Sequence, residues 1–117
     1  MPGPPAAHQI ETHPEPRRVR VTIGGTTVAD STRALALTEG KLPTRWYIPR
    51  EDISAVLEPS ERLTTCPFKG EAVHFSAAGE ESVAWSYEDP FDQLAAIRGL
   101  VAFYNERVDI EVAPDAP

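Results

Sequence analysis

From residue 17 onward, apolar and polar residues alternate over short stretches, and the stretches are separated by glycine, proline and acidic turns. Val19, Val21 and Ile23 share one face of a predicted strand, with Arg18, Arg20 and Thr22 on the other. Gly24-Gly25 is a hairpin-type turn, because both glycines accept positive φ, and the return strand runs through Thr26-Thr27-Val28-Ala29. Leu35 and Leu37 are in phase within Arg33 to Glu39. Gly40 to Pro43 turns the chain into Arg45-Trp46-Tyr47-Ile48, a short aromatic strand stopped by Pro49. Ile53 to Leu57 predicts a further strand, with Glu58-Pro59-Ser60-Glu61 as the turn after it. Ala72 to Ala77 alternates with Val73 and Phe75 on one face and His74 on the other, and Gly79 to Glu81 leads into a strand over Ser82 to Tyr87.

The period changes after Pro90. Leu94, Ile97, Val101 and Tyr104 recur at three and four residues, which predicts a helix over about Phe91 to Glu106. Gly99 weakens that helix by about 1 kcal/mol relative to alanine. Val108 to Val112 alternates as a last strand. The pattern predicts a mainly β, single compact domain of about seven short, mostly antiparallel strands, barrel-like or sandwich, with one late C-terminal helix.

The ends are different in composition. Residues 1–16 carry Pro2, Pro4, Pro5, Pro14 and Pro16, and Ile10 is their only large aliphatic residue after the initiator Met1. Such a segment buries too little apolar surface to offset its ordering entropy, so it is expected to be a disordered tail holding His8 and His13. The domain is expected to span residues 17–113, with residues 114–117 as a second short tail.

Composition narrows the function classes. The 117 residues are 41% hydrophobic and 25% charged, ordinary values for a globular domain. Acidic residues outnumber basic ones by 18 to 11, giving a net charge of −7 that repels phosphate backbones, so nucleic acid is not an expected partner. No long apolar run predicts a membrane span, no secretory signal pattern is present, and one cysteine forms no internal disulfide. A cytoplasmic protein, monomer or homodimer, is the resulting expectation.

The ordered pieces resemble the DUF427 family. The resemblance rests on Arg18-Val19-Arg20-Val21 with Gly24-Gly25, Val28-Ala29-Asp30-Ser31 with Arg33-Ala34, and Trp46-Tyr47-Ile48-Pro49 with Asp52. It continues through Thr65-Cys66-Pro67-Phe68-Lys69-Gly70, Ala84-Trp85-Ser86-Tyr87 with Pro90, and Val101-Ala102-Phe103-Tyr104. Phe68 departs from the tyrosine more usual in that motif. The resemblance implies a compact β-rich fold and leaves the activity open. A nucleotidyltransferase label sometimes attached to the family calls for spaced acidic residues holding metal ions against a triphosphate. Neither an Asp-x-Asp spacing beside a Gly-Ser turn nor a phosphate-cradling glycine loop occurs here.

Three chemistries are in view. Cys66, the chain's only thiol, lies three residues from Lys69, and a neighbouring cation favours the reactive thiolate. With His74 as general base, these three residues form the candidate catalytic set of a thiol-dependent enzyme. Trp46, Tyr47, Trp85 and Tyr87, with Asp30, Arg33 and Lys69 as polar anchors, are the candidate lining of a pocket for a small polar or anionic molecule. An interaction domain that dimerises through a strand edge is the third possibility. No metal or cofactor is expected: the folded part offers Cys66 and His74 where structural zinc takes about four such ligands. The acidic pairs Glu51-Asp52 and Glu88-Asp89 are adjacent and so point apart on an extended chain.

Overall fold

The computed structural model describes residues 10–67 and 69–114. Ten strands are found there: β1 (Ile10–Glu15), β2 (Val19–Ile23), β3 (Thr26–Ser31), β4 (Ala34–Glu39), β5 (Arg45–Tyr47), β6 (Glu58–Cys66), β7 (Gly70–Ala77), β8 (Glu80–Ser86), β9 (Val101–Phe103) and β10 (Asp109–Val112). They form three antiparallel sheets with the orders β1-β4-β5, β10-β2-β3 and β6-β7-β8-β9. Reciprocal bonds between Ile48 and Val101, at 2.8 and 2.9 Å, tie the first sheet to the third.

The third sheet is covered on both faces at β8 and β9, while β6 is its exposed edge. In the β8–β9 register Ala84 lies opposite Phe103 and Trp85 opposite Ala102, so neighbouring residues of β8 serve different layers. One face, with Phe75, Ala84, Val101 and Phe103, packs with Val19, Val21 and Val28 of the second sheet. The opposite face, with Ala72, Trp85 and Ala102, packs against Leu37 and Tyr47 of the first. Burial on both sides makes Ser82 to Ser86 continuously buried, a run more typical of a covered central strand than of a half-exposed one.

Four expectations change. Residues 10–15 are not tail: β1 pairs with β4 from Ile10 opposite Glu39 to Glu15 opposite Ala34. Pro14 is tolerated because β1 lies at the edge of its sheet, and Glu15 is buried against Arg17, whose Nη2 lies 2.8 Å from Oε1. The expectation for residues 1–9 and 115–117 lies outside the described residues, as does Phe68. The late helix is replaced by a 3-10 segment, Asp92–Ile97, followed by β9. Leu94 is non-helical inside that segment, and Gly99 at φ +73° turns the chain back so that its N–H reaches Tyr87 O at 3.0 Å. Val101, Ala102 and Phe103 are then all buried, which a helix exposed on one side does not allow.

Ile53 makes only an isolated bridge to Ala29, because Ser54 and Ala55 both donate to Val28 O and hold the segment irregular. The strand starts instead at Glu58, where a turn is expected; Pro59 is accommodated on the outer strand of the sheet.

Gly70 joins β6 to β7 at φ +114°, and a Cβ there would lie 3.4 Å from Asp89 O. Gly24 is also left-handed, at φ +56°, but has open space around it. Gly70→Ala is therefore expected to cost about 2–3 kcal/mol and Gly24→Ala about 1 kcal/mol in urea unfolding. Equal, small losses would show that the β6–β7 corner is not conformationally constrained.

Candidate functional site

The tight β6–β7 connection places Lys69. Cys66 and Gly70 pair across the hairpin, Lys69 N–H reaches Cys66 O at 3.3 Å, and Phe91 N–H donates to Lys69 O at 3.0 Å. The lysine side chain is thereby turned inward, and the residue is only 8% exposed. Its Nζ lies 2.6 Å from Glu39 Oε1, at the end of β4, and 3.9 Å from Cys66 Sγ. The carboxylate is thus the nearer partner of the ammonium, and the half-buried thiol lies beside the pair.

Lys69 and Glu39 sit at the side of a cavity of about 210 Å³ between the first and third sheets. Leu37, Leu42, Pro43 and Tyr47 close it from one side; Thr64, His74, Trp85, Tyr87 and Tyr104 close it from the other. Trp85 Nε1 donates to the Tyr47 hydroxyl at 3.1 Å, with the two rings edge to face. Trp85 and Tyr104 rings lie 4.3 Å apart between centroids. Arg45 lies over both, 5.3 and 5.6 Å from their centres, and is anchored by Glu106 at 2.9 Å and by Asn105 at 3.0 Å. Burial pushes the Tyr47 and Tyr87 phenols well above their usual range, so both stay neutral at physiological pH. Tyr87 makes no hydroxyl hydrogen bond with any described residue, and the polar atom of the cavity lining that is itself buried and without a partner is His74 Nδ1.

Five of the residues singled out by sequence line this cavity: Tyr47, Lys69, His74, Trp85 and Tyr87. Cys66 packs beside it with the same apolar cluster. Trp46 does not join them. It precedes Tyr47 on an extended strand, points the other way and packs on the opposite core cluster. Asp30 is held by Arg18 on the β2–β3 surface, and Arg33 by Asp52 at 3.0 Å. The remaining acidic residues of the two adjacent pairs are likewise ion-paired, Glu51 with Arg33, Glu88 with Arg50 and Asp89 with Arg98.

Within the expected catalytic set, His74 Nε2 is 2.9 Å from Thr64 Oγ1 and its ring stacks on Tyr104; no hydrogen bond joins it to Cys66 among the described residues. Sequence reading missed Glu39, Arg45, Thr64 and Tyr104. Glu39 was visible in principle, as the residue in phase with Leu35 and Leu37 at the end of β4. Arg45 and Tyr104 meet only through tertiary structure.

A larger, shallower depression of about 810 Å³ lies over the β6–β8 irregularity. Its serines bond to one another, Ser60 Oγ to Ser82 Oγ at 2.6 Å, and no aromatic residue lines it. The smaller cavity is the better candidate because its polar groups converge among rings out of solvent.

Such a fold and site define a small antiparallel β domain with an aromatic cavity between two of its sheets. Residues 11–114 match the family described as a domain of unknown function, DUF427, and the chain belongs to that family. No curated protein matches the chain significantly. No helix among the described residues is long and apolar enough to cross a membrane.

His74 is fully buried, and burial holds its pKa below the usual histidine value. The unfolded chain then takes up a proton near pH ~6.5 that the native state refuses, so this contribution to stability is present above that pH and lost as pH falls below it. Glu15, Asp30, Asp52 and Glu106 have lowered values, chiefly from bonds to arginines, and lose their contributions only below the carboxylate range. Urea unfolding at pH 7.5 and 5.5 is expected to show the protein weaker at 5.5, and His74→Gln much less sensitive. Equal sensitivity would contradict a buried neutral His74.

Proposed function

We propose that this domain binds a small polar molecule in the cavity between the β1-β4-β5 and β6–β9 sheets. The observation that carries the reading is His74: a fully buried imidazole at the cavity wall whose Nδ1 has no hydrogen-bond partner among the described residues. Buried polar groups are nearly always hydrogen-bonded, and a ligand in the cavity supplies what the protein does not. The Glu39–Lys69 pair supports the same reading. Its side chains are 14% and 10% exposed, and an ion pair taken so far out of water is a weak source of stability. At about 210 Å³ the cavity is smaller than the ~300–1,000 Å³ of drug-sized sites, so its occupant is a metabolite-sized molecule.

A thiol-dependent reaction has less support, since Cys66 has Lys69 beside it but no hydrogen-bonded base among the described residues.

Leu42 lines the cavity yet is 61% exposed, so Leu42→Trp narrows the mouth without disturbing the core. Small molecules released by denaturing the purified protein are expected to include a species, seen by mass spectrometry, that is depleted about tenfold in Leu42→Trp. Identical released species from both proteins, with the same unfolding midpoint in the presence of cell extract, would count against a ligand site here.

A further inference from the structure

The cavity's spare hydrogen-bonding positions specify more than polarity. An ammonium has three donors, and Lys69 uses one on Glu39 Oε1 and directs another toward the Cys66 sulfur, leaving one N–H over. Glu39 accepts from Lys69 through Oε1, and its Oε2 makes no bond with a described residue. A donor and an acceptor of opposite charge are therefore left side by side at a site about nine-tenths buried. Around them stand neutral phenols: Glu39 lies close enough to Tyr47 and Tyr87 to oppose their ionisation.

The charge balance of the walls is close to zero. Lys69 is matched by Glu39 and Arg45 by Glu106, while His74 is buried with its protonation disfavoured. The whole chain adds a net charge of −7, which opposes the approach of an anion. A ligand of net negative charge gains Lys69 but meets Glu39, and a net cation has the reverse difficulty. A molecule carrying both charges matches both.

We infer that the cavity takes a small zwitterion, with an ammonium and a carboxylate on one carbon as in a free α-amino acid. The ligand ammonium sits against Glu39 Oε2 among the aromatic rings, where cations are favoured. The ligand carboxylate accepts from Lys69 and from the Tyr87 hydroxyl. Charge-assisted bonds of this kind are roughly twice as strong as neutral ones, which sets a zwitterion above an uncharged amide that offers the same donor and acceptor. The volume, roughly that of seven waters at ~30 Å³ each, suits a small side chain and not a large aromatic one.

This inference rests on the cavity being a ligand site. The test separates the two. Isothermal titration of the protein with each of the twenty standard amino acids is followed, for the tightest binder, by its decarboxylated amine and its deaminated acid. Saturable binding of a small amino acid is expected, with the amine and the acid each weaker by about tenfold or more. Glu39→Gln, checked as folded by circular dichroism, is expected to weaken the amino acid by about tenfold and leave the acid unchanged or tighter. If the acid or the amine binds as well as the amino acid, and Leu42→Trp abolishes that binding, the zwitterion is wrong and the cavity remains a ligand site. If no amino acid binds, the zwitterion is overturned. If, in addition, Leu42→Trp alters none of the small molecules released on denaturation, the site itself falls with it.

Discussion

The β8 and β9 strands at the centre of the fold are buried on both faces, and most of the architecture follows from that requirement. Two layers must cover them: the β10-β2-β3 sheet on one side, and β1-β4-β5 on the other. The second cover is held by the Ile48–Val101 bridge and by Leu37 and Tyr47 packing on Trp85 and Ala102. It does not close completely. Where β4 and β5 end, charged and phenolic side chains meet across the gap instead of aliphatic ones, and the cavity is what this incomplete closure leaves.

The same two-sidedness decides what was legible in the sequence. A strand less covered on one face, such as β2, announces itself by alternation, and Val19, Val21 and Ile23 fall where that pattern puts them. Val101-Ala102-Phe103 is buried on both faces, so it shows no alternation, and its apolar run merges with Leu94 and Ile97 into a false helical period. β1 was hidden for a different reason: its proline and charges suit an edge strand as well as a tail, and only its pairing with β4 tells them apart.

The candidate site was half legible. Tyr47, Lys69, His74, Trp85 and Tyr87 were found because aromatic and cationic residues flank the β6–β7 turn and the β5 and β8 strands. Trp46 was misplaced by grouping neighbours on a strand that in fact face opposite layers; Glu51 and Asp52, by contrast, lie in a 3-10 turn and both meet Arg33. Glu39 is the consequential omission. Its partner Lys69 is 30 positions away, and nothing local in either segment signals that they meet.

Whether the Glu39–Lys69 pair serves the cavity or the fold is the central question, and a stability cycle on the pair answers it. Removing one charge leaves the other buried and is expected to cost about 3–5 kcal/mol, whereas a double replacement, Glu39→Leu with Lys69→Met, is expected to match or exceed the native stability. That result in urea unfolding would identify a pair kept for what it binds. A double variant weaker by more than about 2 kcal/mol would instead make the pair a strut between two sheets.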